Sequence, residues 1–388
     1  MRILFVAGEY PPLQGGLGDF TRQLARACAA AGHEPHVLTR RVEGAPERES
    51  GDGVLVHRLA AGWGWPSLGL ASRFARETQP DTVDLQYQAA AYGMHPAVNL
   101  LPAWLARRRV PTTVTFHDLR VPYLFPKAGP LRRQAVLAMA RGARASIVTN
   151  VEDEIALSQA GVRGVRRVPI GSNIAPAPLG RFDRQAWLRA RGVPPEARVV
   201  GYFGFLNESK GGEALVRALA GLRTELAGAV LLLIGGRTGA SDPTNLAYAD
   251  RVAALASELG VRDCIHATGF LDDAGVSAAF AACDCVALPY RDGVSFRRGT
   301  LMAALAHGCA IVTTAPRVPL PELADGDNVV LAPPDDPQAL AGAIARVLGD
   351  SALRARLEAG SLRLSRLFGW DHIAAQTIAV LETTRSAG

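Results

Sequence analysis

Two adjacent arginines stand in front of a helix-opening Gly-Thr pair in GVSFRRGTLMAALAHG, residues 293–308. Thr300 can cap the helix that follows, Gly308 can end it, and Gly299 lets ligand oxygens approach its first amides. With Ser295, Arg297 and Arg298 beside the amides of Gly299, Thr300 and Leu301, bidentate hydrogen bonds and the helix dipole would converge on a diphosphate. The alternative is a structural loop whose arginines pair with a local acid such as Asp292. The stretch contains no carboxylate of its own.

Three other loops carry comparable chemistry. In GYFGFLNESKGGEALV (201–216), Lys210 precedes a helix and follows a glycine-containing strand end, where a flexible ammonium can reach an anion already held by helix amides. In GEYPPLQGGLGDF (8–20), Gly15, Gly16 and Gly18 let backbone come close to a ligand, and the following helix offers its first N–H groups. This loop does not spell the dinucleotide fingerprint, because Thr21 stands where a third glycine or alanine belongs. In TFHDL (115–119), His117 and Asp118 follow a strand directly. A histidine there can donate a hydrogen bond or exchange a proton near neutral pH. It can equally tie a loop together.

The elements that position these loops are those of a parallel α/β protein. RILFVAG (2–8) is a continuous apolar run ending in glycine, as expected of a strand buried on both faces. TRQLARACAAAGH has helical spacing and a glycine stop. Strands are then predicted at EPHVLTR, VLVHRL, TVDLQY, PTTVTFHD, ASIVTN and VRRVPIGSN, with helices between most of them. The pattern restarts at RVVGYFGF (198–205) and continues through AVLLLIGG, DCIHATGF, DCVALPY, AIVTT and NVVLAPP. Between the halves, the Pro-rich and polar segment 174–197 is a crossover from one domain to the next. The expected domains are 1–175, completed by a terminal helix over 370–388, and 176–369. Two such domains facing each other would leave a cleft at the carboxyl ends of their strands.

Composition narrows the classes. The chain has 388 residues, enough for two domains of roughly 150 to 200 residues. Its 42 Lys+Arg against 36 Asp+Glu give +6 at pH 7. Many arginines lie singly on helix faces, which argues against nucleic acid and leaves anionic substrates or, at most, peripheral membrane contact. Five cysteines in apolar runs suggest reduced core thiols, and Cys283-Asp-Cys285 lacks the partners of a zinc site. The amino-terminal apolar run is too short for a signal peptide, so a cytoplasmic protein is expected.

In order along the chain, these motifs resemble the retaining glycosyltransferases of family 4, which have the GT-B fold of two facing Rossmann-like domains. The resemblance covers nearly the whole chain, from MRILFVAGEYPPLQGGLGDF and VTFHDL through GFLNESKGGEALVRAL and LMAALAHGCAIVTT to FGWDHIAAQTIAVL. It implies transfer of a sugar from a nucleotide-diphosphate sugar to an acceptor, with anomeric configuration retained and neither cofactor nor metal required. By the same resemblance, Gly15 and Gly16 approach the donor phosphate and Lys210 binds the diphosphate. His117 lies near the transferred sugar, and Gly269, Phe270 and Leu271 sit where backbone recognises the base.

The sequence departs from the family at three places. Phe205 replaces an arginine, and Ser295 and Ala303 replace two glutamates that contact donor hydroxyls. Arg297 or Arg298 can supply the cation lost at Phe205, so His117, Lys210 and Arg298 are the candidate catalytic residues. Acceptor candidates in the first domain are Trp63, Trp65, Tyr87, Tyr92, His95 and Asp118, with Arg120, Lys127, Arg132 and Arg133 beside them. Aromatic faces stack on sugar C–H faces, although tryptophan in such loops also simply packs. Two other readings stand beside the transferase: a weakly active paralogue that binds nucleotide sugar or a partner without turnover, and a sugar-nucleotide epimerase. An epimerase would want carboxylates as acid and base.

Overall fold

The computed structural model describes residues 1–13, 15–119, 129–236 and 243–386. The chain divides into two α/β units, Met1–Asn173 with Phe368–Gly388, and Ile174–Leu367.

Unit 1 is built on an eight-stranded sheet. Its strands are β1 (Arg2–Ala7), β2 (Glu34–Arg40), β3 (Arg48–Gly51), β4 (Val54–Ala60), β5 (Thr82–Tyr87), β6 (Thr112–Phe116), β7 (Ala145–Val148) and β8 (Val165–Arg167). Their order is β3-β4-β2-β1-β5-β6-β7-β8, all parallel except the β3–β4 pair. The helices are α1 (Gly16–Ala30), α2 (Pro66–Thr78), α3 (Ala97–Ala106), α4 (Gly129–Gly142) and α5 (Val151–Gln159). From Ile3 to Ala7 every side chain of β1 is buried, because helices cover both faces.

Unit 2 has the strands β9 (Arg198–Phe203), β10 (Ala229–Ile234), β11 (Ile265–Ala267), β12 (Cys285–Leu288), β13 (Ile311–Thr314) and β14 (Val330–Ala332). They form one parallel sheet in the order β11-β10-β9-β12-β13-β14. Around it lie α6 (Arg184–Arg189), α7 (Gly212–Glu225), α8 (Pro243–Glu258), α9 (Asp273–Ala282), α10 (Gly299–Ala306), α11 (Pro337–Gly349) and α12 (Ser351–Ser365). Leu215, Leu219 and Leu222 put the apolar stripe of α7 into this core. Burying each such side chain contributes roughly 1.5–3 kcal/mol.

The last helix, α13 (Trp370–Ser386), belongs to unit 1. It buries Ile373, Ala374 and Leu381 among Phe20, Leu24 and Ile147. Trp370 Nε1 donates to the Ser172 carbonyl at 2.7 Å, and Arg144 donates to the Thr384 carbonyl at 2.6 Å. Ile373 is fully buried. Ile373→Ala should therefore cost about 3 kcal/mol and lower the melting temperature of unit 1 by ~6–12 °C in a calorimetric scan.

All five cysteines are free thiols. No helix among the described residues is long and apolar enough to cross a membrane.

Candidate functional site

In unit 2 the strand order reverses between β9 and β12, which are neighbours in the sheet. The loops leaving their carboxyl ends therefore flank one crevice, the usual ligand position in an open α/β sheet. The β9 loop carries Gly204 to Gly211, and the β12 loop runs from Pro289 to the start of α10.

Gly204 has φ +102°, a conformation that favours glycine. A Cβ there would lie 2.7 Å from Thr300 Cγ2 and 3.2 Å from Lys210 Nζ. Absence of a side chain thus lets the lysine and the start of α10 meet over the strand end. The Asn207 side chain accepts from the Lys210 backbone N–H at 3.1 Å and fixes the tight turn that aims the lysine. The Lys210 ammonium itself makes no hydrogen bond or ion pair among the described residues. Burial, and then the charge of Arg298, push its pKa down to about 8.

Arg298 lies across the Tyr290 ring, 4.8 Å from its centroid, and reaches Ser209 Oγ at 3.4 Å. It also donates to Asp292 in a short contact. Arg297 donates to the other oxygen of the same carboxylate at 3.0 Å. Both guanidiniums are thus engaged by Asp292, the pairing that the alternative reading of this loop named. One carboxylate answering two guanidiniums beside an unanswered ammonium still leaves the crevice positive.

The capping role expected of Thr300 is corrected. The N-cap position falls on Arg298 and has no side-chain cap. Thr300 lies within the first turn, its hydroxyl 2.6 Å from that of Tyr290. Leu301 N–H donates to the Arg298 carbonyl at 2.9 Å, so in the opening turn of α10 the amides of Gly299 and Thr300 are those left without a capping side chain. Among the described residues, Ser295 Oγ and Arg298 Nε are buried without a hydrogen-bond partner, where such atoms are normally satisfied. Phe205, in place of the family's arginine, is 39% exposed. Gly269, at φ +70°, turns the chain after β11 and leaves the Phe270 ring in solvent, with Leu271 half-buried behind it. Ala303, where the resemblance expects a glutamate, is buried in α10.

In unit 1 the loop before α1 differs from its expected role. The Glu9 carboxylate lies against Gly15, so close that a Cβ there would come within 2.0 Å of Glu9 Oε1. Amides of Leu17 and Gly18 favour the charged carboxylate, but burial outweighs them and raises its pKa. The chain's own acid thus stands where the resemblance places a donor phosphate beside Gly15. Around Gly16 the space is open.

His117 sits at the end of β6, with Nε2 2.8 Å from Gln86 Oε1 and its ring edge-on to Phe20 at 4.6 Å. Burial lowers its pKa to about 3, so the ring is neutral at pH 7, the form suited to the hydrogen-bonding alternative.

Three of the six acceptor candidates come together. Tyr87, His95 and Asp118 line a cavity of about 510 Å³ with Asn99, Arg132 and Arg133. Trp65 is 56% exposed and packs edge-on against His95 at 5.5 Å. Trp63 and Tyr92 do not join them. Trp63 is buried and donates to the Gly8 carbonyl at 3.0 Å, and the Tyr92 hydroxyl bonds the carbonyls of Val6 and Gln86 at 2.9 Å each. Both are packing residues, which corrects their assignment to an acceptor. Arg120 and Lys127 lie outside the described residues.

Residues 15–173 match the family described as Glycosyl transferase 4-like domain, and residues 197–350 match Glycosyl transferases group 1. A D-inositol 3-phosphate glycosyltransferase of Jonesia denitrificans is 30% identical over 408 residues, covering 96% of this chain and 92% of the relative. The chain belongs to the group 1 glycosyltransferases, family 4. Among solved structures, sucrose-phosphate synthase of Thermosynechococcus elongatus superposes with TM-score 0.77 at 23% identity, covering 100% of both chains. Anabaena Alr3699/HepE, solved with UDP and glucose, superposes with TM-score 0.77 at 20% identity, covering 99% of this chain and 100% of its own. These likenesses establish the GT-B fold for this glycosyltransferase.

Glu9, Asp84, Gln86 and Tyr290 were not singled out by sequence reasoning. A signal existed for two of them. TVDLQY is a doubly covered strand, and an Asp and a Gln inside it need buried partners.

Proposed function

We propose that this glycosyltransferase moves a sugar from a nucleotide-diphosphate donor to an acceptor with retention of anomeric configuration, and that the diphosphate binds in the β9/β12 crevice of unit 2. The observation that carries the reading is the Lys210 ammonium, without a counter-ion among the described residues, at the point where Gly204 lets it meet the start of α10. Lys210 and Arg298 stabilise charge on the leaving diphosphate as the glycosidic bond breaks, and the amides of Gly299 and Thr300 take its oxygens. The departing phosphate oxygen receives the acceptor's proton, so no protein base is required. Without glutamates at Ser295 and Ala303, the donor's hydroxyls lose polar contacts worth roughly 1–3 kcal/mol each, and the site relies on charge. Ser295 Oγ, buried and unpaired, is left to meet one of those hydroxyls.

The acceptor binds in the unit 1 cavity lined by Tyr87, His95, Asp118 and Arg132. Inositol phosphate is the first to try, because curated relatives act on D-inositol 3-phosphate. The test is a thermal-shift screen with UDP-, GDP-, ADP- and TDP-sugars, followed by nucleotide release with and without acceptor. Stabilisation by one donor, with release that an acceptor accelerates, supports the transferase. Stabilisation without release from any acceptor transfers the reading to a binding paralogue, which the two missing acids favour. Absence of any stabilisation overturns both.

A further inference from the structure

Beneath His117 a run of polar side chains crosses the interior of unit 1. Asp84 and Gln86 alternate on one face of β5, and Thr115 and His117 follow the same alternation along β6, where Gln86 pairs with Thr115. Asp84 is fully buried. It accepts from Thr115 Oγ1 at 2.9 and 3.1 Å and from Gln86 Nε2 at 2.6 Å. The far end of Gln86, Oε1, is 2.8 Å from His117 Nε2.

The orientation of Gln86 fixes the assignment: its amide nitrogen faces Asp84 and its carbonyl oxygen faces the histidine. Burial raises the Asp84 pKa to about 7, and the carboxylate accepts from both Thr115 and Gln86. The Gln86 oxygen only accepts. The proton of the neutral imidazole must then sit on Nε2, and Nδ1 carries the lone pair. Nδ1 has no hydrogen-bond partner among the described residues. The backbone N–H of His117 donates to the Tyr87 carbonyl at 3.0 Å, which holds the ring's base in place while Phe20 packs its edge.

We propose that Asp84, acting through Gln86, is a positioning device that locks His117 in the Nε2–H tautomer and so presents Nδ1 as a hydrogen-bond acceptor for a ligand hydroxyl. Resting on the transferase reading, that hydroxyl belongs to the transferred sugar. Neither Asp84 nor Gln86 touches the ligand. Their effect is to decide that His117 accepts rather than donates, a choice that selects for a sugar hydroxyl and against an acceptor-only group at the same place. The outer partner of a histidine commonly sets its tautomer in this way.

The test uses the unliganded full chain with nitrogen-15-labelled histidine, read by long-range proton–nitrogen correlation. His117 signals are assigned by their loss in His117→Gln. The expected result is a single Nε2–H tautomer in the wild type and a mixture, or the Nδ1–H form, in Gln86→Leu. UDP binding should stay unchanged, because UDP lacks the transferred sugar. An Nδ1–H tautomer in the wild type overturns the proposal, as does a folded Gln86→Leu that keeps the wild-type tautomer. Should Gln86→Leu not fold, Gln86→Met decides: it keeps the length of the side chain without its amide, and a wild-type tautomer retained in it overturns the proposal. None of these readings depends on turnover, so failure of the transferase reading leaves them intact.

Discussion

Lys210→Met is expected to weaken UDP binding about 100-fold while raising the melting temperature of the unliganded protein. The first effect follows from removing one charge-assisted contact of about 2.7 kcal/mol, which Arg298, already shared with Asp292, does not replace. The second separates a binding lysine from a structural one. Its folded-state pKa, about 8, lies below the 10.5 of a free lysine. Between those values the unfolded chain holds more protons than the folded one, so stability rises with pH across that window. Below pH 8 the penalty of the buried charge is fully present. Methionine fills the same space without that charge, and the free protein gains. A bound diphosphate does the reverse and pulls the lysine pKa up. Above pH 8 binding must then take up a proton, and UDP affinity should fall roughly fivefold between pH 8 and pH 9 and approach tenfold per pH unit beyond. Titration calorimetry in buffers of different ionisation enthalpy measures that proton directly. In Lys210→Met the pH dependence should vanish. If UDP binding survives the substitution intact, the diphosphate does not bind here.

Gly211→Ala should be nearly as damaging, by a different route. Gly211 has φ +70° and ends the turn that carries Lys210, while serving as N-cap of α7. A Cβ would stand 2.0 Å from the carbonyl oxygen of Pro289, a backbone atom of the facing loop. The left-handed conformation costs an L-residue about 1 kcal/mol. The clash then forces the β9 and β12 loops apart, and the sum should reach ~3 kcal/mol or more. A drop of ~6–12 °C in the unit 2 melting transition, with UDP affinity reduced, is the expected outcome. Gly342→Ala, on α11 with nothing within 4 Å, is the control and should be neutral or slightly stabilising. Equal behaviour of the two variants would mean that the loops yield more easily than their packing implies.

Apolar runs ending in glycine marked the parallel strands well, because a strand covered on both faces has almost no sequence freedom. RILFVA and AVLLLI are examples. Lys210 and the start of α10 were legible for a related reason: cation, glycine and helix start are all local. Partner choice is not local. Nothing in RRGT says that both arginines meet Asp292, since side-chain pairing is settled by how the loop folds back on itself. Glu9 in front of α1 escaped for the same reason. Aromatic residues misled in the other direction. Trp63 and Tyr92 lie in loops with the composition of a sugar platform, yet their polar atoms hydrogen-bond buried carbonyls of the neighbouring backbone.

The return of α13 to unit 1 has a bearing on synthesis. A chain emerging from the ribosome completes all of unit 2 before the segment that covers Phe20, Leu24 and Ile147 exists. Unit 2 can close as soon as its own residues are out, whereas unit 1, although begun first, waits with an apolar face uncovered. Folding order along this chain is therefore inverted relative to translation order, and the face awaiting α13 is where a nascent-chain chaperone would find its hold.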